Sequence, residues 1–455
     1  MRLPRHVQAP PQPCALPPNA AGRHLMPPPP VRGAASRASP RRRALLHRHA
    51  AASKATLPAG ATGPRSAPPD EGACPPQRIP RAYGRRPACR RVDIAKSMLD
   101  LVGGTPMVYL DRLRESVNGG KGARVAAKLE MFNPGFSVKD RIGRAMIRAG
   151  RDAGLLKDGG TIVEPTSGNT GLGLAMAAAV MGYRMVCTVP DKVPVEKIRL
   201  LEAYGAEVIV CPTNVEADDP RSYYKQAERL RDEEGAFLPY QYHNAANPRA
   251  HYATTGPEVW SQTDGRVTHF VAGMGTGGTI SGTGRYLHRA ARKVGRDVQV
   301  VGIDTVGSIY TEYFRTGKFP KDIHQYLIDG IGEDFLPSTV WWDEIDDVVQ
   351  VTDDDAFLMM ARMAREEAVF SGSSAGAAVH GAMQVARGLP KSALVVTLVP
   401  DAGERYLSKF NVEWMESKGL TKAPAYLRQM AKARAQAKPK RVSKAAKKVG
   451  AKRQR

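Results

Sequence analysis

Lys139 lies in the run Asn133-Pro134-Gly135-Phe136-Ser137-Val138-Lys139-Asp140-Arg141, a setting in which an amine can do chemistry. Residues 124 to 130 (RVAAKLE) read as a short strand, and Ile142, Ala145, Met146 and Ala149 then recur at helical spacing. The spacing predicts Lys139 in the first turn of a helix entered from a Pro-Gly loop, with Ser137 as N-cap. The positive end of a helix destabilises an ammonium and so favours a neutral, nucleophilic lysine. The ordinary alternative is a solvated surface charge.

Three more loops place hydroxyls, amides and glycines at predicted helix starts. Gly273-Met274-Gly275-Thr276-Gly277-Gly278 fits G-x-G-x-x-G, a pattern that suits a dinucleotide and, with it, a nicotinamide dehydrogenase. The ribose-binding acid that such a site needs about 20 residues further on is missing. Asp304, the nearest acid at a strand end, lies 26 residues beyond Gly278. A single phosphate asks for less: backbone N–H groups from Gly275 to Thr279, with the hydroxyls of Thr276 and Thr279, would cradle it at a helix start. The loop Thr166-Ser167-Gly168-Asn169-Thr170-Gly171 offers three hydroxyls, an amide and free N–H groups, which suits a carboxylate; simple N-capping needs only one such residue. Ser374, in Ser371-Gly372-Ser373-Ser374-Ala375-Gly376, and Gln241, in Tyr240-Gln241-Tyr242-His243-Asn244, would each serve structure equally well alone. A phosphate cradle, a carboxylate cradle and a lysine together are what a pyridoxal-phosphate enzyme acting on amino acids requires.

The elements that must hold these loops alternate in type. Strands at 161–164, 184–189 and 207–211 alternate with helices at 172–181, 195–204 and 220–233, which is the pattern of a compact α/β subdomain. A second set has strands at 268–272, 298–304 and 393–399, the last ending at Pro400-Asp401, and helices at 280–292, 353–367 and 377–386. The expected fold class is α/β: two doubly wound domains whose loops at strand C-termini face a shared cleft.

A formal charge of +23 would suggest a polyanionic partner, but its distribution says otherwise. Residues 1–92 carry +15 and 418–455 carry +14, leaving −6 for 93–417, so the basicity belongs to the ends. Residues 1–92 also hold 19 of the 35 prolines and no sustained apolar period, so they should not fold alone. They read as a disordered extension or an upstream over-extension of the reading frame, ahead of an organellar transit peptide, for which they are too proline-rich. The Lys/Ala-rich segment 418–455 reads as a disordered tail, with nucleic-acid contact kept as an accessory role. The core is expected at 93–417, with a smaller subdomain at about 130–250 inserted in a larger one. Five irregularly spaced cysteines build neither a disulfide framework nor a metal site; Cys187 and Cys211 read as buried thiols, and a cytoplasmic setting is expected. No secretory apolar segment or membrane-length apolar run occurs, so no membrane partner is expected.

The motifs 137–141 (SVKDR), 164–171 (EPTSGNTG), 275–279 (GTGGT) and 372–376 (GSSAG) resemble, in order and spacing, the fold-type II pyridoxal-phosphate β-replacement enzymes, and the likeness runs from about Asp93 to Met415. Residues 219–224, 251–260 and 329–335 are more similar to the cystathionine β-synthases than to the cysteine synthases. The resemblance implies a tryptophan synthase β-like fold with pyridoxal 5'-phosphate in the cleft between two domains, and a homodimer. It implies Lys139 as the Schiff-base lysine, Asn169 on the ring hydroxyl, and Gly275, Thr276, Gly277, Gly278 and Thr279 on the phosphate. Ser374 would face the pyridine nitrogen, and Thr166, Ser167, Thr170 and Gln241 would take the substrate carboxylate. The implied reaction joins L-serine and L-homocysteine to cystathionine and water; the alternative is a cysteine synthase using sulfide with O-acetylserine or O-phosphoserine. Three features depart from animal cystathionine β-synthases. Their haem-binding pattern is not apparent in the arm, so haem is not expected; their C-terminal regulatory repeats are replaced by the basic tail; and Glu333 stands where they carry a tyrosine. Residues 403–407 (GERYL) read more like cysteine synthases.

Overall fold

Nine strands form two sheets in a computed structural model that describes residues 94–166, 168–216 and 218–436. The basic arm at 1–92, with Cys14, Cys74 and Cys89, and residues 437–455 lie outside the described residues, as does Ser167. The larger sheet has the order β1 (Met107–Tyr109), β2 (Arg124–Leu129), β9 (Leu394–Val399), β6 (His269–Gly273), β7 (Gln299–Thr305), β8 (Asp347–Val351). Only the β1–β2 pair is antiparallel. The smaller sheet is parallel, in the order β3 (Thr161–Pro165), β4 (Arg184–Pro190), β5 (Glu207–Cys211). All six residues of β9 are buried, as a continuous apolar run in the middle of a parallel sheet requires.

The helices that bear on function are α1 (Lys139–Asp152), α2 (Asn169–Met181), α3 (Ala246–Ala253), α4 (Gly278–Lys293), α5 (Asp353–Arg362), α6 (Ser373–Arg387) and α7 (Lys422–Gln436). Residues 170–178 of α2 are buried throughout, because the helix is apolar on every face and is covered on every side. It crosses α1 glycine to glycine. A Cβ at Gly143 would lie 2.5 Å from the Gly173 carbonyl carbon, and one at Gly173 would lie 2.6 Å from the Lys139 carbonyl oxygen. The start of the lysine helix therefore presses directly on α2, close behind Asn169 and Thr170.

β9 lies between β2 and β6, and the connections leaving the C-terminal ends of these three strands lead to the lysine loop, to Asp401 and to the glycine loop. This is the switch point of a doubly wound sheet, where a crevice opens beyond the strand ends. The helix expected over 353–367 is α-helical only to Arg362 and ends in a wider π turn, Met363–Glu367. Within the tail expected to be disordered over 418–455, the described residues include the helix α7, Lys422–Gln436. Leu420 and Ala423 are buried with Phe357 and Met360 of α5 and Met415, so a few apolar residues in a basic segment find a ready surface. Among the described residues no helix is long and apolar enough to cross a membrane.

Candidate active site

Loops from both sheets converge on a cavity of about 780 Å³. Its wall includes Lys139, Thr166, Asn169, Thr170, Gln241, Gly275, Thr276, Gly277, Thr279 and Ser374, so ten of the residues singled out in the sequence meet in one place. Gly278 is buried just behind the wall as the first residue of α4.

The loop before Lys139 is held to the end of β9. Val138 N–H donates to the Pro400 carbonyl at 2.8 Å, Ala402 N–H donates to the Phe136 carbonyl at 3.2 Å, and Ser137 bridges Asp401. The N-cap is Val138 rather than Ser137; the Ser137 hydroxyl nonetheless accepts from Lys139 N–H at 3.3 Å. Burial lowers the proton affinity of the Lys139 amine, and the carboxylates of Asp401 and Glu333 oppose that shift. Desolvation is thus the chief cause of that lowering, at an amine that also stands on the first residue of α1.

At the start of α2, Thr170 donates through its hydroxyl to Gln241 Oε1 at 2.6 Å. Gln241 is fixed from behind by Glu164, whose carboxylate accepts from the backbone N–H groups of Tyr240 (2.8 Å) and Gln241 (3.1 Å). Burial pushes the Glu164 carboxyl up to about 7 in spite of those two donors. Asn169 donates from Nδ2 to Asp401 at 2.7 Å and accepts from the Arg405 guanidinium.

The glycine loop is shaped by packing. A Cβ on Gly275 would meet the Gly330 carbonyl at 2.4 Å, one on Gly277 would meet Val340 at 2.3 Å, and one on Gly278 would meet Asn247 at 1.9 Å. Gly277 also holds φ +77°, a conformation that L residues with side chains rarely adopt. Asn247 and His251 on α3 stand behind the loop. Asn247 donates to the Thr276 hydroxyl at 3.0 Å, and His251 Nε2 lies 3.2 Å from the Thr279 hydroxyl. Burial, helped by the charge of Arg141, brings the His251 imidazole down to about 3, so it stays neutral. The result is a set of N–H groups and two threonine hydroxyls at the start of a sixteen-residue helix, without an acidic side chain among them. This donor set fits the phosphate of pyridoxal phosphate, and the lysine amine across the cavity fits its aldehyde.

Asp304 does not reach the cavity. Its carboxylate accepts from the N–H (2.8 Å) and hydroxyl (2.6 Å) of Thr311, which leaves a dinucleotide without its ribose partner.

Sequence reasoning assigned no role to Glu164, Asn247 and His251, which stand behind the wall, or to Asp401 and Arg405, which are part of it. The only signal for Asp401 was its position at a strand's C-terminal end. Glu333, noted only as a departure, also lines the cavity. Burial and its neighbour Asp334 push the Glu333 carboxyl up to about 7, against a hydrogen bond from Tyr242 and the charge of Lys139.

Comparison with known proteins agrees with this geometry. The family described as "Pyridoxal-phosphate dependent enzyme" matches residues 98–401. Cystathionine beta-synthase from Apis mellifera is 39% identical over 328 residues, 72% of this chain and 63% of the relative. The enzyme of the same name from Rattus norvegicus is 40% identical over 336 residues, 72% of this chain and 58% of the relative. The chain thus spans about three fifths of the length of these relatives. Among solved structures, O-ureido-L-serine synthase superposes with a TM-score of 0.62 at 36% identity, covering 69% of this chain and 94% of that one. A hydrogen sulfide-producing enzyme from Fusobacterium nucleatum gives 0.61 at 33% identity, covering 69% and 98%. With its α/β fold, its cleft and the family match over most of the described residues, the chain belongs to the pyridoxal-phosphate dependent enzymes.

Proposed function

We propose that the protein is a cystathionine β-synthase, joining L-serine to L-homocysteine with loss of water. Its likeness to enzymes of that name supports the reaction class. The observation that carries the choice of thiol is Glu333, a half-buried carboxylate in the cavity wall, close enough to Lys139 for each to shift the other's proton affinity. An incoming homocysteine brings an α-ammonium that such a carboxylate would pair with; sulfide brings none.

In this reading Lys139 holds the cofactor, Gly275, Thr276, Gly277, Gly278 and Thr279 its phosphate, Asn169 its ring hydroxyl, and Ser374 its ring nitrogen. Thr166, Ser167, Thr170 and Gln241 take the substrate carboxylate. Pyridoxal phosphate supplies an electron-withdrawing ring that takes up the charge developing at the substrate Cα. Lys139, its proton affinity lowered by burial, removes the Cα proton and returns it after the thiol has added at Cβ. Ser374 offers the ring nitrogen a neutral hydroxyl, and this weaker electron sink favours loss of the β-hydroxyl over transamination.

The remaining assignments are of the same kind: a catalytic core at 93–417 carrying a smaller subdomain at about 130–250, a homodimer, a cytoplasmic setting supported by the free buried thiols Cys187 and Cys211, and nucleic-acid contact by the tail as an accessory role.

The test is one comparison of rates on the purified protein, L-serine with homocysteine against O-acetylserine with sulfide. The homocysteine reaction should have the higher kcat/KM, and Glu333→Gln should raise KM for homocysteine while leaving the sulfide reaction within about twofold. Cysteine formation without cystathionine would favour the cysteine synthase reading, towards which residues 403–407 lean.

A further inference from the structure

Asp401 is 1% exposed in the loop that leaves β9, between the lysine loop and the start of α2. Its Oδ2 accepts from Asn169 Nδ2 at 2.7 Å and from the Tyr406 hydroxyl, while its Oδ1 is buried with no hydrogen-bond partner. A buried carboxylate is normally paired with a cation, since stripping it of water costs more than two neutral hydrogen bonds return. The guanidinium nearby, Arg405, is directed elsewhere: it donates to Asn169 Oδ1 and to the Gly135 carbonyl. The Asn169 carboxamide is therefore gripped at both ends, by an acceptor on its nitrogen and a donor on its oxygen. A carboxamide turned end for end would set its oxygen against a carboxylate and its NH2 against a guanidinium, two repulsive contacts in place of two attractive ones. Nδ2 carries two N–H groups, and Asp401 uses one of them. Tyr406 fixes the carboxylate in turn, its ring resting where a Cβ on Gly372 would be, just before α6 and Ser374.

We propose that Asp401 is a positioning residue: with Arg405 it locks the Asn169 carboxamide in the one orientation that offers its second N–H to an acceptor on the cofactor ring. This role rests on the proposed contact between Asn169 and that ring, and it accounts for a buried carboxylate that fold stability alone would not retain.

The experiment uses the holoenzyme and reads two properties besides turnover: the visible absorption of the bound cofactor, and the dissociation constant for pyridoxal phosphate titrated back into protein stripped of it. Asn169→Ala should move the absorption band and weaken cofactor binding about three- to tenfold, the range for one lost hydrogen bond. Asp401→Ala should change both in the same direction, yet change neither further by more than about twofold when added to Asn169→Ala. Arg405→Met, which releases the other end of the same carboxamide, should show the same dependence and decides the matter if Asp401→Ala does not fold. Wild-type absorption and affinity in Asp401→Ala, or effects that simply add in the double variants, would overturn the role. An Asn169→Ala protein that matches wild type in both readouts would instead remove the ring contact itself, and the role with it.

Discussion

Two buried charged clusters share helix α1 and behave in opposite ways. The first joins Lys128, Glu130, Arg141 and Glu258, two positive and two negative groups. Arg141 pairs with Glu130 at 2.6 Å and with Glu258 at 2.8 Å, and Lys128 pairs with Glu258 at 2.7 Å. Thr105 and Gln262 take up further hydrogen bonds. Although burial works against each charge, Arg141 is driven up by its two carboxylates, and Arg141 with Lys128 brings Glu258 down to about 2. Lys128 is the exception, drawn down by burial. In the second cluster Lys139 feels the charge of Glu333 and of Asp401 without closing a pair with either: burial draws the lysine down and pushes both carboxylates up. Pairing holds groups in their charged forms and makes structure; withholding the pair leaves burial to push each group towards its neutral form. One residue, Asp140, separates Lys139 from Arg141, so a single helical turn carries both arrangements of a buried cation.

Breaking the second cluster at its centre should cost the most. Lys139→Ala should lower turnover by about 10⁴-fold and remove the visible absorption of the purified protein. A coloured, active variant would end the comparison, because the unpaired cluster would then have no chemistry to explain. Breaking the first cluster should cost fold instead. Arg141→Ala leaves the buried Glu130 without its ion pair and Glu258 with Lys128 alone, and should destabilise by about 3–5 kcal/mol in denaturant unfolding.

Glu258→Gln tests the same cluster through pH. The folded pKa of Glu258, about 2, lies below its ordinary value of 4.5, so its contribution is fully present above about pH 4.5 and fades as pH falls towards 2. The variant should be less stable than wild type by about 3 kcal/mol at pH 7, and the gap should narrow at pH 3. A constant gap would mean that the charge of Glu258 is not what matters.

Much of this site was legible because it is local. Strand, loop and helix alternate within short windows, and Lys139, Asn169, Thr276 and Ser374 each announce themselves at a helix start. What could not be read were the partnerships across the chain. Asn169 meets Asp401 across 232 residues and Arg405 across 236, and no spacing rule connects them. Glu130, Arg141 and Glu258 are ordinary surface types in sequence, yet they are 0%, 2% and 7% exposed because the fold supplies their counter-charges. The helix α7 was missed for the converse reason. Its lysines and alanines favour helix, but the apolar contacts that stabilise it lie on Phe357 and Met360 in another part of the chain.

Glu333→Gln is the same chemical change as Glu258→Gln and should have the opposite sign. The folded pKa of Glu333, about 7, lies above its ordinary value of 4.5, so between those limits the folded chain binds the extra proton. Stability therefore falls as pH rises through that window, and above pH 7 the wild type carries a half-buried charge that the unfolded chain holds more cheaply in water. Since Glu333 is only half-buried, water screens part of this cost. Replacing the carboxylate with an amide should stabilise the protein stripped of cofactor by about 1 kcal/mol at pH 8, with little difference from wild type at pH 4.5. Thermal unfolding at the two pH values reads this directly. The gain should come with the weaker use of homocysteine already predicted for the same variant, because the charge that strains the fold is the one proposed to meet the incoming ammonium. A variant destabilised at pH 8 would mean that Glu333 is paired as Glu258 is, and the two clusters would then be alike.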